Sequence, residues 1–287
     1  MTVIVCCFLA WAGPGQTDVW LLAGQSNMQG SALVAELPAA IPKAVPNAFF
    51  WNGMEFEPLV LGKTRTSNNA ERFGPEAGFA LSMATAERPA YLIKYHASGM
   101  PLHHGINGGE WVGPGYGPNR RNFYPGAKDG DPNAGTLYKA MLARFRGGIG
   151  RLAGSGKKPL VRGFLWMQGE QDAKHKEPAA TYASSLKLLK SRLEQDLGTS
   201  IPMVYGQVLP HEPGLARFTH RKETREQMAM ADGASGRPEA IAGARMVSTD
   251  GFLLLPDKVH YNTEGQLRLG RAMAAAMRGL ADGGERR

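Results

Sequence analysis

DVWLLAGQSNMQG, from Asp18 to Gly30, reads as a buried strand that stops abruptly in a turn carrying a serine. Val19 to Ala23 is an apolar run of strand length, and Gly24 followed by Gln25, Ser26 and Asn27 breaks it. In an α/β protein, a serine just past the C-terminal end of a strand stands where the sheet opens. Backbone N–H groups at the start of the following helix point outward there. That position suits a nucleophile. Serine is also a favoured helix N-cap, so on this stretch alone Ser26 as a cap stands beside Ser26 as a nucleophile.

Downstream, Ala90 to Tyr95, Leu160 to Met167, Ile201 to Val208 and Ala244 to Ser248 read as four further buried strands. Helical patterns lie between and after them. One opens at Gly74-Pro75-Glu76 and runs to about Arg88, and one runs from Leu137 to Leu152, weakened by Gly147-Gly148. A third, Pro178 to Leu197, repeats Tyr182, Leu186, Leu189, Leu193 and Leu197 at helical spacing, with Gly198 as its stop. Arg217 to Ala231 reads as a solvated helix, and Thr263-Glu264-Gly265-Gln266 as the capping box of a last helix ending near Leu280. This alternation predicts an α/β fold in which a five-stranded parallel sheet is covered on both faces. Phe49-Phe50-Trp51, Asn52-Gly53 and Met54 to Val60 predict a hairpin, expected as an excursion from that sheet.

The chain has 287 residues, enough for one domain over 17–282, with residues 283–287 expected to fray. Residues 1–16 read as a leader. Val3 to Ala12 is apolar but too short to span a bilayer, and Ala10-Trp11-Ala12 has the form of a signal-peptidase site, which points to a secreted or periplasmic protein. No Lys or Arg precedes the run, so an N-terminal strand or unstructured leader is the alternative. Cys6 and Cys7 both fall in this segment, so a mature chain would carry neither disulfides nor a catalytic thiol. The net charge is +8, without zinc-finger spacing or an RNA-recognition signature; it reads as solubility or weak attraction for acidic substrates, not nucleic-acid binding.

The chemistry-bearing residues fall at strand ends: Ser26 after the first strand, Gly99 after the second, Gln168 after the third, and Asp257 with His260 after the fifth. A serine hydroxyl needs a base, and a histidine three residues from an aspartate is oriented by it within one turn. His260 and Asp257 fit those roles. Attack on an ester generates an oxyanion, for which Ser26 N–H, Gly99 N–H and the Gln168 side-chain amide are candidate donors. Gln25, Asn27, Glu170 and Asp172 are candidate supporting residues, and Glu170 or Asp172 is an alternative acidic partner for His260. The irregular loop 99–135 supplies His103, Trp111 and Tyr116 as a candidate substrate rim, where aromatic faces suit sugar rings. The same aromatics would also serve as a small cluster pinning the loop. Adjacent His103 and His104 lack acidic partners at ligand spacing, and neither a metal nor a cofactor is expected.

Four blocks carry a resemblance: GQSNMQG at Gly24–Gly30, FGPE at Phe73–Glu76, WMQGEQD at Trp166–Asp172 and DKVHYNTEGQLRLG at Asp257–Gly270. The chain resembles the SGNH-type hydrolases, in particular the sialate O-acetylesterase-like domain shared with family-six carbohydrate esterases, among them acetyl xylan esterases. The resemblance implies a three-layer, flavodoxin-like α/β/α fold, no metal, and removal of acetyl groups from sugars. It also implies Ser26 as nucleophile, His260 as base, Asp257 as its partner, and Gly99 with Gln168 in the oxyanion hole. The second block departs from the pattern: Ala97-Ser98-Gly99-Met100 stands where paired glycines are common. A binding module on the same fold, and a short-chain ester or thioester hydrolase acting on other substrates, are the alternative functions.

Overall fold

The apolar run at Val19 to Ala23 becomes the centre of the molecule. In the computed structural model of the protein, which describes residues 15–210 and 215–284, β1 spans Gln16–Gly24 and is buried from Thr17 onward. It is followed by α1 (Ser26–Gln29), β2 (Ala32–Leu33), β3 (Ala44–Trp51), β4 (Phe56–Val60), β5 (Arg72–Phe73), α2 (Glu76–Met83) and β6 (Ala90–His96). Then come β7 (Ile106–Asn107), β8 (Glu110–Trp111), α3 (Thr136–Gly154), β9 (Lys158–Met167), α4 (Lys176–Ala180) and α5 (Tyr182–Leu197). The remaining elements are β10 (Met203–Gly206), α6 (Arg221–Ala231), β11 (Ala244–Val247) and α7 (Thr263–Gly284). Residues 1–14 of the expected leader, with Cys6 and Cys7, and the last three residues of the expected tail lie outside the described residues, whereas Gln16 already belongs to β1.

The main sheet has seven strands in the order β11-β10-β9-β1-β6-β3-β4, and it is mixed. The expectation of five parallel strands is corrected by the 44–60 hairpin. That hairpin is no excursion: β3 pairs parallel to β6, and β4 closes the edge antiparallel to β3. Its aromatic residues explain why. Phe49 and Phe56 pack on Tyr91 of β6 with ring centroids 4.8 and 5.2 Å away, so the hairpin buries its rings only by joining the sheet.

Helices cover both faces. Adjacent strand residues point to opposite sides, and on β9 the pair Gly163 and Phe164 shows what each side meets. A Cβ on Gly163 would stand 2.4 Å from Cε of Met277 in α7, whereas the Phe164 ring lies 6.2 Å from that of Phe145 in α3. On the α7 side, α2 packs through Phe79, whose ring is 5.1 Å from that of Trp20. On the other, α5 neighbours α3. Gly148, which weakens α3 by propensity, has a packing reason: a Cβ there would come within 2.5 Å of Ile93.

Several boundaries differ from the sequence expectation. Thr181 separates α4 from α5, α2 stops at Met83, and α7 continues past Leu280 to Gly284. The capping box is displaced by one residue. Asn262 Oδ1 accepts from Gly265 N at 2.9 Å, while Thr263 is already helical and its hydroxyl donates to Glu36 at 2.8 Å. Among the described residues, no helix is long and apolar enough to cross a membrane.

Candidate active site

β1 ends at Gly24, where φ is +152° and a Cβ would lie 2.0 Å from Met167 O, so only glycine allows the chain to cross the end of β9. Gln25 N then donates to Met167 O at 2.9 Å, and Met28 N and Gln29 N close a single helical turn onto Gln25 O. Gln25 holds the N-cap position without a side-chain cap bond, and Ser26 is the first helical residue. The serine side chain is therefore available, and it faces the loop before α7. Ser26 Oγ lies 2.9 Å from His260 Nε2, and His260 Nδ1 lies 2.5 Å from Asp257 Oδ2. The other carboxylate oxygen of Asp257 accepts from Val259 N at 2.9 Å and His260 N at 3.0 Å, so one side chain shapes the turn and holds the ring. Burial pushes the Asp257 carboxyl up, but the hydrogen bonds from His260 and Val259 outweigh it and leave the group below its ordinary range.

Asn27 locks the two halves of this arrangement together. Its Nδ2 donates to Val259 O at 3.0 Å and to Glu170 Oε1 at 2.7 Å, and its Oδ1 accepts from Tyr261 N at 3.2 Å. Val259 and Tyr261 flank His260, so the residue after the serine sets the position of the histidine loop. Glu170 is buried beside Asn27 rather than on the His260 ring nitrogen that faces Asp257. Burial pushes the Glu170 carboxyl up, against hydrogen bonds from its own backbone and Asn27 and the charge of His260.

The amide of Gln168, expected among the oxyanion donors, is engaged by other groups. Its Nε2 donates to Asp172 Oδ2 at 2.5 Å and to Met100 O and Gln25 Oε1 at 3.2 Å each, and its Oε1 accepts from Tyr182 OH at 3.0 Å. The side chain is fully buried, its amide is held by the Asp172 carboxylate, and it is not among the residues lining the pocket that holds Ser26. Gly99 does reach the site: it lines the pocket with φ +68°, and a Cβ there would meet nothing within 4 Å.

The family profile described as carbohydrate esterase, sialic acid-specific acetylesterase matches residues 16–279. The chain belongs to this family. It is thereby a carboxylic ester hydrolase. Solved structures are similar in fold. An Arabidopsis thaliana protein is 18% identical with a TM-score of 0.66, over 92% of this chain and 98% of that one. NanS is 13% identical with a TM-score of 0.61, over 96% and 100%. XAC1771, a carbohydrate acetylesterase from Xanthomonas citri, is 18% identical with a TM-score of 0.58, over 93% of this chain and 57% of that one. Comparison with curated protein sequences gives no match.

The pocket at Ser26, the candidate catalytic pocket of this esterase, holds about 460 Å³ and is lined by Ser26, Gly99 and His260 together with Arg72, Lys174 and Arg217. Sequence reading missed the three cations, which come from separate segments of the chain and share no spacing. Of the expected rim residues, Trp111 is 36% exposed, stacks near His175 at 6.0 Å and lines an adjacent pocket that shares Lys174 with the catalytic one. His103 and Tyr116 line neither pocket. They belong to a ring stack through His104, with centroid distances of 4.1 and 4.2 Å, and His103 is buried. Its Nδ1 accepts from Gly105 N at 2.9 Å, and burial, with the charges of His104 and Arg120, holds its imidazole down to about 3.

Asp172 anchors the start of this loop of the esterase by accepting from Leu102 N at 3.0 Å and His103 N at 2.9 Å. Burial raises its carboxyl to about 6, against the hydrogen bonds from Gln168, Leu102 and His103. An acid raised on folding holds its proton more tightly in the native chain, so stability falls as pH rises from ~4 to ~6, by on the order of 3 kcal/mol. Above that window the loss is complete and constant. The difference in unfolding free energy between wild type and Asp172→Asn, from urea titrations at pH 4 and pH 7, is expected to shift against wild type by that order. An unchanged difference would refute the assignment.

Proposed function

We propose that this esterase removes O-acetyl groups from carbohydrates through an acetyl-serine intermediate. The observation that carries the reading is the line from Ser26 Oγ through His260 to Asp257, at 2.9 and 2.5 Å. Asp257 accepts a hydrogen bond from Nδ1–H, which keeps the proton on that nitrogen and leaves Nε2 free to take the proton from Ser26 as its oxygen attacks the acetyl carbonyl. Ser26 N–H and Gly99 N–H are the donors we assign to the oxyanion. The inward commitment of Gln168 leaves its amide out of that set. His260 then gives its proton to the departing sugar oxygen, and water attacks the acetyl-serine with the same histidine as base.

Arg72, Lys174 and Arg217 in the pocket wall favour an acetylated sugar that also bears a carboxylate, which agrees with the sialic acids in the family description. Trp111 supplies an apolar face beside the pocket for a ring of the same substrate. Acetate release from p-nitrophenyl acetate, acetylated xylan and an O-acetylated sialic acid tests the reading, with the acidic sugar expected to be turned over fastest. Across p-nitrophenyl esters, turnover is expected to fall steadily from acetate to butyrate to octanoate. Faster turnover of octanoate would instead support an esterase of another acyl class.

A further inference from the structure

Beyond the catalytic pocket, on the side of β3 and β6, lies a second pocket of about 650 Å³, large enough for a sugar unit of its own. The two meet at Asn68, which lines both. Its wall includes Arg65, Thr66, Tyr95, His96 and Arg144, and no carboxylate. Lys94, deeper in the wall, is neutralised by Glu76 at 2.6 Å. Arg144 is not neutralised. Its Nε donates to Lys94 O at 2.6 Å and one terminal nitrogen to Trp51 O at 2.7 Å, which aims the guanidinium without balancing its charge.

Among the described residues, no carboxylate pairs with Arg144, which is half-buried, or with the exposed Arg65. Thr66 has a buried hydroxyl with no hydrogen-bond partner. Burial, with the charges of Lys94, Arg144 and Arg65, holds the His96 imidazole down to about 3, so the ring is neutral in this positive field. A half-buried guanidinium without a counter-charge, in the wall of an open pocket that a second arginine also lines, is the feature of a site that an anion completes.

We propose that this pocket is a subsite for an anionic group, a carboxylate or a sulfate ester, on the sugar unit next to the acetylated one. Arg65 and Arg144 grip the anion, and Asn68 sits at the junction between the two units. The substrate is then an acidic oligosaccharide rather than a single sugar. The inference rests on the deacetylation reading for the orientation of the chain, but the site itself is read without turnover.

Isothermal titration with glucuronate, glucose 6-sulfate and glucose tests the site directly. One or both charged sugars are expected to bind at least about tenfold more tightly than glucose, and the stronger of the two names the anion. Arg144→Gln and Arg65→Gln are each expected to weaken that binding about tenfold. Arg65 is exposed, so its variant keeps the test valid if Arg144→Gln fails to fold. In kinetics, the ratio of kcat/KM for an acetylated glucuronate-containing oligosaccharide over a neutral acetylated xylo-oligosaccharide is expected to fall in both variants, through KM.

Binding of the charged sugars no tighter than glucose, or binding unchanged in both variants, would overturn the subsite. An unchanged kinetic ratio would overturn its role toward substrate. An enzyme that binds the charged sugars through these arginines but releases no acetate would sink the deacetylation reading and leave the anion site standing.

Discussion

Ser26→Ala is expected to lower kcat on p-nitrophenyl acetate by at least ~10⁴-fold, and His260→Ala by a similar amount, because each removes one end of the proton-transfer line. The double variant is expected to be no worse than either single one, since the two groups act as a unit. Stability separates this outcome from a folding defect. A serine that caps a helix loses on the order of 1 kcal/mol when replaced by alanine. Here Gln25 occupies the N-cap and Ser26 makes no side-chain cap bond, so urea unfolding of Ser26→Ala is expected to match wild type. Retained turnover in Ser26→Ala would exclude the acetyl-serine mechanism outright.

Glu76→Gln is expected to destabilise the fold by about 3–5 kcal/mol, because it strands a buried ammonium. Glu76 and Lys94 are fully buried and 2.6 Å apart. Burial already lowers the Lys94 pKa, against the charge and hydrogen bond of Glu76. The pair also underpins the serine turn, since Lys94 Nζ donates to Gln29 O at 2.9 Å and Glu76 Oε1 accepts from Gly74 N at 2.8 Å. Activity is therefore expected to fall with stability. Adding Lys94→Met to Glu76→Gln removes the stranded charge and is expected to recover a large part of the loss. A cost below about 1 kcal/mol for Glu76→Gln in urea unfolding would mean that the pair contributes little.

The FGPE block was visible in the sequence, but its reason was not. Nothing in Phe73–Glu76 indicates that its glutamate lies beneath the serine turn, because Lys94 reaches it from a separate strand. Gln168 teaches the same point in reverse. Its place after β9 is legible from the apolar run, yet whether its amide faces the serine or the interior depends on Asp172, Met100 and Tyr182, which tertiary packing brings to it. The arginines and lysines of the two pockets carried no pattern, since they gather from separate loops and elements that only the fold brings together.

Local features follow from the residues in each stretch. A continuous apolar run ended by Gly24 requires a buried strand and a sharp turn at Ser26, and a spacing of three residues lets Asp257 reach the His260 ring within one turn. Whatever depends on long-range approach came from the packing of distant elements. That packing placed Ser26 against a histidine 234 positions away and drew the 44–60 hairpin into the sheet to bury its rings. It also turned Gln168 inward and left Arg144 charged beside the catalytic pocket. Hydrophobic periodicity and turn chemistry act over a few residues, whereas the partner of a buried polar group is chosen by whichever element packs against it.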